Sequence, residues 1–182
     1  MTTNRYVALL RGINVGGRNL VSMADLRDAF ESEGYRNVST YIQSGNVLFD
    51  TDSPLVSLED ELERMLQRRL SVKLVVLVRS HRQMRNIVGK SPEGFGEAPD
   101  RYHSDVVYLK ASLSPKQAMR VVDLREGVDE VWPGTGVLYF ARLSACRTQS
   151  KMRSIMSTPE YQLMSIRSWS TTTKVLSLLG ER

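Results

Sequence analysis

The stretch Val38-Ser39-Thr40-Tyr41-Ile42-Gln43-Ser44-Gly45-Asn46-Val47-Leu48-Phe49 decides the fold. Runs rich in β-branched and aromatic residues flank the polar, turn-forming Gln43 to Asn46, which predicts a β-hairpin. Helical patterns bracket it. Upstream, Met23, Leu26 and Phe30 recur at helical spacing behind Ser22, a candidate N-cap with Asp25 three residues on, and Gly34 ends the run. Downstream, Pro54 precedes a longer helix with Leu58, Leu62, Met65, Leu66 and Leu70 on one face. Further out lie an apolar strand from Tyr6 to Leu10 and a fourth strand from Lys73 to Val78. Strand, helix, strand, strand, helix, strand is the order of a ferredoxin-like unit. A short amphipathic helix with Met84, Ile87 and Val88 trails it.

The same order returns in the second half. Asp105 to Leu109 reads as a strand, and Ser114-Pro115 opens a helix with Ala118, Val121 and Val122 inward. Val128 to Trp132 is a short strand, and Pro133-Gly134-Thr135-Gly136 turns into another from Val137 to Phe140. A helix with Met152, Ile155 and Met156, a strand from Met164 to Trp169, and a closing helix with Val175, Leu176, Leu178 and Leu179 complete the half. Asn46-Val47-Leu48-Phe49 matches Gly136-Val137-Leu138-Tyr139, and Arg79-Ser80-His81 matches Arg167-Ser168-Trp169. The expectation is an α+β chain of two tandem ferredoxin-like βαββαβ units, antiparallel sheets with helices on one face, related by internal duplication. The N-terminal unit spans 1–90 and the C-terminal unit 103–182, with the Pro- and Gly-rich stretch 91–102 as linker.

Composition narrows the function classes. Hydrophobic residues make up 41% and charged residues 25% of 182, which is ordinary for a globular protein. The net charge is +5, carried by 19 Arg against 6 Lys, and the guanidinium fork suits phosphate or carboxylate. The basic residues are scattered rather than gathered in a nucleic-acid-binding tail. The strands also lack the interleaved aromatics of RNA-recognition sheets. Cys146 stands alone, so neither an intrachain disulfide nor a cysteine metal cage can form. With no signal-peptide pattern and no apolar run approaching the ~20 residues that span a bilayer, the expected location is the cytoplasm, away from membranes.

Candidate chemistry gathers at one end of the first sheet. The usual strand order 4-1-3-2 makes strands one and three neighbours, so the loop at 12–19 and the hairpin at 43–46 should converge. They would bring together Arg11, Gly12, Asn14, Gly16, Gly17, Arg18, Asn19, Gln43, Ser44 and Asn46, with glycine-freed amides forming an anion nest. Gly, Asn and Ser also serve turns on steric grounds, so a purely structural loop is the alternative. Neither a Walker loop nor a dinucleotide fingerprint is present. His81 and His103 are the two histidines. His103 and Asp105 share a strand face and would supply two metal ligands without a third, or stand in solvent at the strand entry. Glu59, Asp60, Glu61 and Glu63 read as the solvated start of a helix. Arg167, Trp169 and Thr171, where a strand enters a hydroxyl-rich helix start, form a secondary candidate for anion binding or base stacking. The alternative there is packing by Trp169 in the seam between units, with Ser170 or Thr171 as the cap.

At Tyr6 to Gly17, Met23-Ala24-Asp25-Leu26 and Thr40 to Val47 the chain resembles the bacterial "domain of unknown function 1697" family. Ser150-Lys151-Met152 and Arg167-Ser168-Trp169-Ser170-Thr171 look similar to it as well. The family tends to carry Thr-x-Arg-Asn-Trp-Asn-Thr in that last stretch. Here Ile166, Ser168 and Ser170 stand there, and a role resting on those amides does not carry over. The resemblance implies an α+β fold of ferredoxin-like character and no established activity, cofactor or partner. The leading reading is a non-catalytic module binding an anionic ligand at the 12–19 loop and 43–46 hairpin, whether a phosphate-containing small molecule, nucleotide or nucleic acid. No metal or cofactor is expected. The alternatives are an enzyme on a small anionic substrate, with Arg11 or Arg18 as clamp and His81 or His103 as proton carrier, and a structural or interaction protein.

Overall fold

The computed structural model describes residues 4–43 and 45–181. The hairpin that frames the sequence joins β2 (Arg36–Tyr41) to β3 (Asn46–Thr51). With β1 (Asn4–Arg11) and β4 (Val75–Ser80) they form an antiparallel sheet in the order β2-β3-β1-β4, so strands one and three are neighbours. Helix α1 (Met23–Ser32) starts at the expected cap, where Ser22 Oγ accepts from the Asp25 amide at 3.0 Å. Helix α2 (Leu55–Leu70) buries Leu58, Leu62, Met65 and Leu66 over the sheet. Each such side chain stabilises by ~1.5–3 kcal/mol when taken out of water, so this face anchors the first core.

Of the four carboxylates at the start of α2, Asp60 is exposed as expected, but Glu59 and Glu63 turn to the sheet edge. Glu63 Oε1 accepts from the Val76 amide at 2.9 Å, and Glu59 Oε1 from the Val78 amide at 3.0 Å. β4 is the sheet edge, and its outward amides need partners. The helix supplies them from positions one turn apart.

After α3 (His81–Gly89), the second sheet contains β5 (Tyr102–Leu109), β6 (Asp129–Gly134), β7 (Val137–Leu143) and β8 (Met164–Ser168) in the order β6-β7-β5-β8, again antiparallel. The chain is α+β, with two similar units. Helix α4 (Pro115–Met119) is a single capped turn, closed by a reciprocal Ser114–Gln117 box. Helix α5 (Trp169–Gly180) ends the chain's regular structure. One compact unit comprises residues up to Met84 together with those from Val175, and the other is Arg85–Lys174. The stretch 91–102 falls within the second unit, and its Phe95 is buried edge-on against Trp132, Tyr139 and Trp169.

Between β7 and β8 the expected helix is absent. Three short 3-10 turns, Ser144–Gln149, Met152–Ser157 and Pro159–Leu163, replace it. Ser154, Ser157 and Thr158 each turn a hydroxyl back onto the carbonyl three residues earlier, at 2.7 Å in every case. Such bonds compete with the α-helical ladder, and Pro159 cannot join it. Met152 and Ile155 are buried as the pattern demanded, but Met156 is 55% exposed.

Register aligns the two units position by position. Ser80 pairs with Tyr6, and Ser168 with Asp105; Phe49 pairs with Tyr6, and Phe140 with Asp105. Tyr6 and Asp105 therefore hold equivalent places. The counterpart of Asn46 to Phe49 is then Val137 to Phe140, one residue beyond the match read from sequence. In both units an arginine at the fourth strand donates through Nη1 to the preceding carbonyl, Arg79 to Val78 and Arg167 to Ile166.

Candidate functional site

The two loops of the first unit do meet. The Leu10 amide donates to Gly45 O at 2.8 Å, and a side chain at Gly45 would collide with Ile13 and Leu10. Gly45 has φ +77°, so glycine is required there twice over. Ser44 lies outside the described residues. Much of the predicted polar set, however, is spent on closing the loops. Asn14 donates to Val21 O at 3.0 Å and accepts from the Val21 amide at 2.8 Å, while Asn19 donates to Gly12 O at 3.1 Å. Both asparagines sit at positive φ, which their side chains tolerate. Asn46 is buried and donates to Tyr41 O at 3.0 Å, fixing the hairpin from inside. Arg11 is half-buried at the strand end. Exposed groups remain: Arg18, Gln43, the backbone of Gly12, Gly16 and Gly17, and the apolar side chains of Val15, Leu20 and Ile42.

The closing segment is packed. Arg167 Nη1 donates to Ser165 Oγ and Ile166 O, each at 2.9 Å, and burial pushes its pKa down to about 10. Trp169 lies edge-on to Phe95, 5.1 Å between centroids, and against Gly96, where a Cβ would strike its ring. The cap of α5 is Ser168, whose Oγ accepts from the Thr171 amide at 3.2 Å; Thr171 is buried beside it.

A second constellation lies in the other unit. A cavity of about 610 Å³ opens over the sheet face that the three 3-10 turns cover incompletely. In its floor, His103 Nε2 lies 3.3 Å from Asp105 Oδ1, and Arg142 Nη2 lies 3.2 Å from Asp105 Oδ2. Asp105 is 5% exposed, so its charge is held almost wholly by these neighbours. A carboxylate buried at such a place would be costly without them. Met152 and Ile166 form an apolar wall, and Arg147, Arg153 and Met156 stand at the exposed rim. The guanidinium groups of Arg147 and Arg153 have no hydrogen-bond or ion-pair partner among the described residues. No group of three or more His, Cys, Asp or Glu able to hold a metal occurs among the described residues. His103 and Asp105 were visible as a pair in the sequence, but Arg142, Arg147 and Arg153 were not tied to them. The strand pairing His103 with Arg142 spans a loop, a helix and another strand, and no local pattern announces it.

The family model described as "Protein of unknown function (DUF1697)" matches residues 3–139. The chain belongs to this family. The DUF1697 match takes in the loops at 12–19 and 43–46, together with His103 and Asp105, and stops before Arg142 and the closing segment. The solved structure of conserved bacterial protein SP0830 from Streptococcus pneumoniae is similar, with a TM-score of 0.86 at 24% identity. The alignment covers 98% of this chain and 99% of that one. At that identity the likeness concerns the fold. No curated protein matches the chain. No helix among the described residues is long and apolar enough to cross a membrane.

Proposed function

We propose that this protein binds a small anionic ligand, and that the cavity of the second unit is the place. The observation that carries this reading is the exchange at one sheet position. In the first unit Tyr6 stacks on Phe49, 5.8 Å between centroids, inside the core beneath α2. The equivalent position holds Asp105, tied to Arg142 and His103 at the bottom of an open cavity. Trading buried aromatic contact for a buried ion pair brings little or no stability. A site that pre-positions a guanidinium and an imidazole under two uncommitted arginines gives that trade a purpose. Inorganic phosphate should then raise the melting temperature by binding the folded state. Arg147→Ala with Arg153→Ala, both at exposed positions, should remove the rise; an undiminished response in the double variant would refute the assignment.

The meeting of loop and hairpin favours a second reading, anion binding at Arg11 and Arg18 with the Gly16-Gly17 amides and Gln43. Under it, Arg11→Ala with Arg18→Ala, rather than the cavity pair, removes the phosphate response. We also propose that both units are ferredoxin-like and arose by duplication. Their strand orders, their aligned registers and the repeated arginine contact at Arg79 and Arg167 support this.

A further inference from the structure

Resting on the cavity reading above, we infer that the ligand is a phosphate monoester carrying an apolar group rather than a free anion or a carboxylate. Three features of the cavity divide it into two poles. The polar pole is doubly cationic before any ligand arrives. Asp105 neutralises Arg142 at 3.2 Å, which leaves Arg147 and Arg153 as the uncommitted charges, with His103 beside them. A carboxylate presents two oxygens in one plane and is satisfied by a single guanidinium fork. A phosphate monoester presents three oxygens and close to two negative charges, which two guanidinium forks and an imidazole lining one cavity can share.

The other pole is apolar. Met152 and Ile166 line the wall, and Met156 stands at the mouth, 55% exposed although it belongs to the apolar pattern of its segment. An unbranched, polarisable side chain left in water at the entrance of a cavity can fold over an apolar substituent of varied shape. Inorganic phosphate would leave Met156 in water, whereas Met152 and Ile166 are already packed into the core behind the wall. A volume of about 610 Å³ also far exceeds what one phosphate fills and lies in the range of small-molecule sites.

Isothermal titration of the full chain with inorganic phosphate, phenyl phosphate and benzoate tests this. Phenyl phosphate should bind about tenfold more tightly than inorganic phosphate, since partial burial of one ring against the wall is worth that factor. Met156→Ser should shrink the gap between phenyl phosphate and inorganic phosphate, and its exposed position keeps the fold intact. Benzoate should bind more weakly than phenyl phosphate. Equal affinities for phosphate and phenyl phosphate would overturn the inference and leave the anion reading standing. Benzoate binding as tightly as phenyl phosphate would overturn the phosphoester assignment alone. Absence of binding by all three would remove the cavity reading together with everything built on it.

Discussion

Single residues carry the contrast between the two units. Asp105 exists in the core at the expense of two neighbours, so removing it leaves the partly buried Arg142 without its counter-charge. Asp105→Ala should destabilise by about 3 kcal/mol, measured by urea unfolding. Replacing both partners, as in Asp105→Leu with Arg142→Met, should cost far less or even stabilise, while abolishing any phosphate response. If the pair served only to hold the fold, the double variant would be the less stable one. Gly45 makes the opposite kind of case: its φ of +77° and its closeness to Ile13 and Leu10 make it purely structural. The hairpin turn was legible from Gly45-Asn46 alone, because turn chemistry is local. Asn14 and Asn46 looked like ligand groups for the same reason that they are loop braces: a short amide side chain serves either use, and only the fold decides.

Elements explain why a cavity opens at Asp105 on the second sheet and not at the equivalent Tyr6, which is buried in the first core. α2 covers its sheet with four buried side chains and seals the β4 edge with Glu59 and Glu63. Glu63→Ala should cost about 1–2 kcal/mol by leaving the Val76 amide without an acceptor, and Leu62→Ala about 2–5 kcal/mol by opening a void. In the second unit the 3-10 turns cannot cover as much. Restoring helix propensity with Ser154→Ala, Ser157→Ala and Pro159→Ala should raise helical circular dichroism and weaken ligand binding together. A helical signal that does not change would mean the hydroxyl bonds are not what breaks the helix. Met152, Ile155 and Met156 made a helix the natural expectation, since apolar spacing does not reveal competition by back-bonding hydroxyls. In the acidic run at 59–63, Glu59 and Glu63 escape a local reading for a related reason. Their partners, the edge amides of β4, depend on which strand ends the sheet.

At the scale of the molecule, buried tyrosines set the alkaline limit. Burial raises the phenol pKa of Tyr6, Tyr35 and Tyr139, and Tyr139 also donates to Ile87 O at 2.6 Å. The unfolded chain therefore releases these protons first. Stability should be fully present below about pH 10 and fall as pH rises through and beyond that value, until the folded-state tyrosines ionise too. Tyr139→Phe should flatten that fall in pH-dependent thermal unfolding. The βαββ portions and the strand order were readable from periodicity and turns. The cavity was not, because His103, Asp105 and Arg142 come together only through strand register and through a helix that fails to form. The most direct test of the anion site is an NMR titration with inorganic phosphate, following the arginine side-chain Nε–H resonances. Shifts are expected at Arg142, Arg147 and Arg153, saturating together. Shifts confined to Arg11 and Arg18, or none at all, would contradict that assignment.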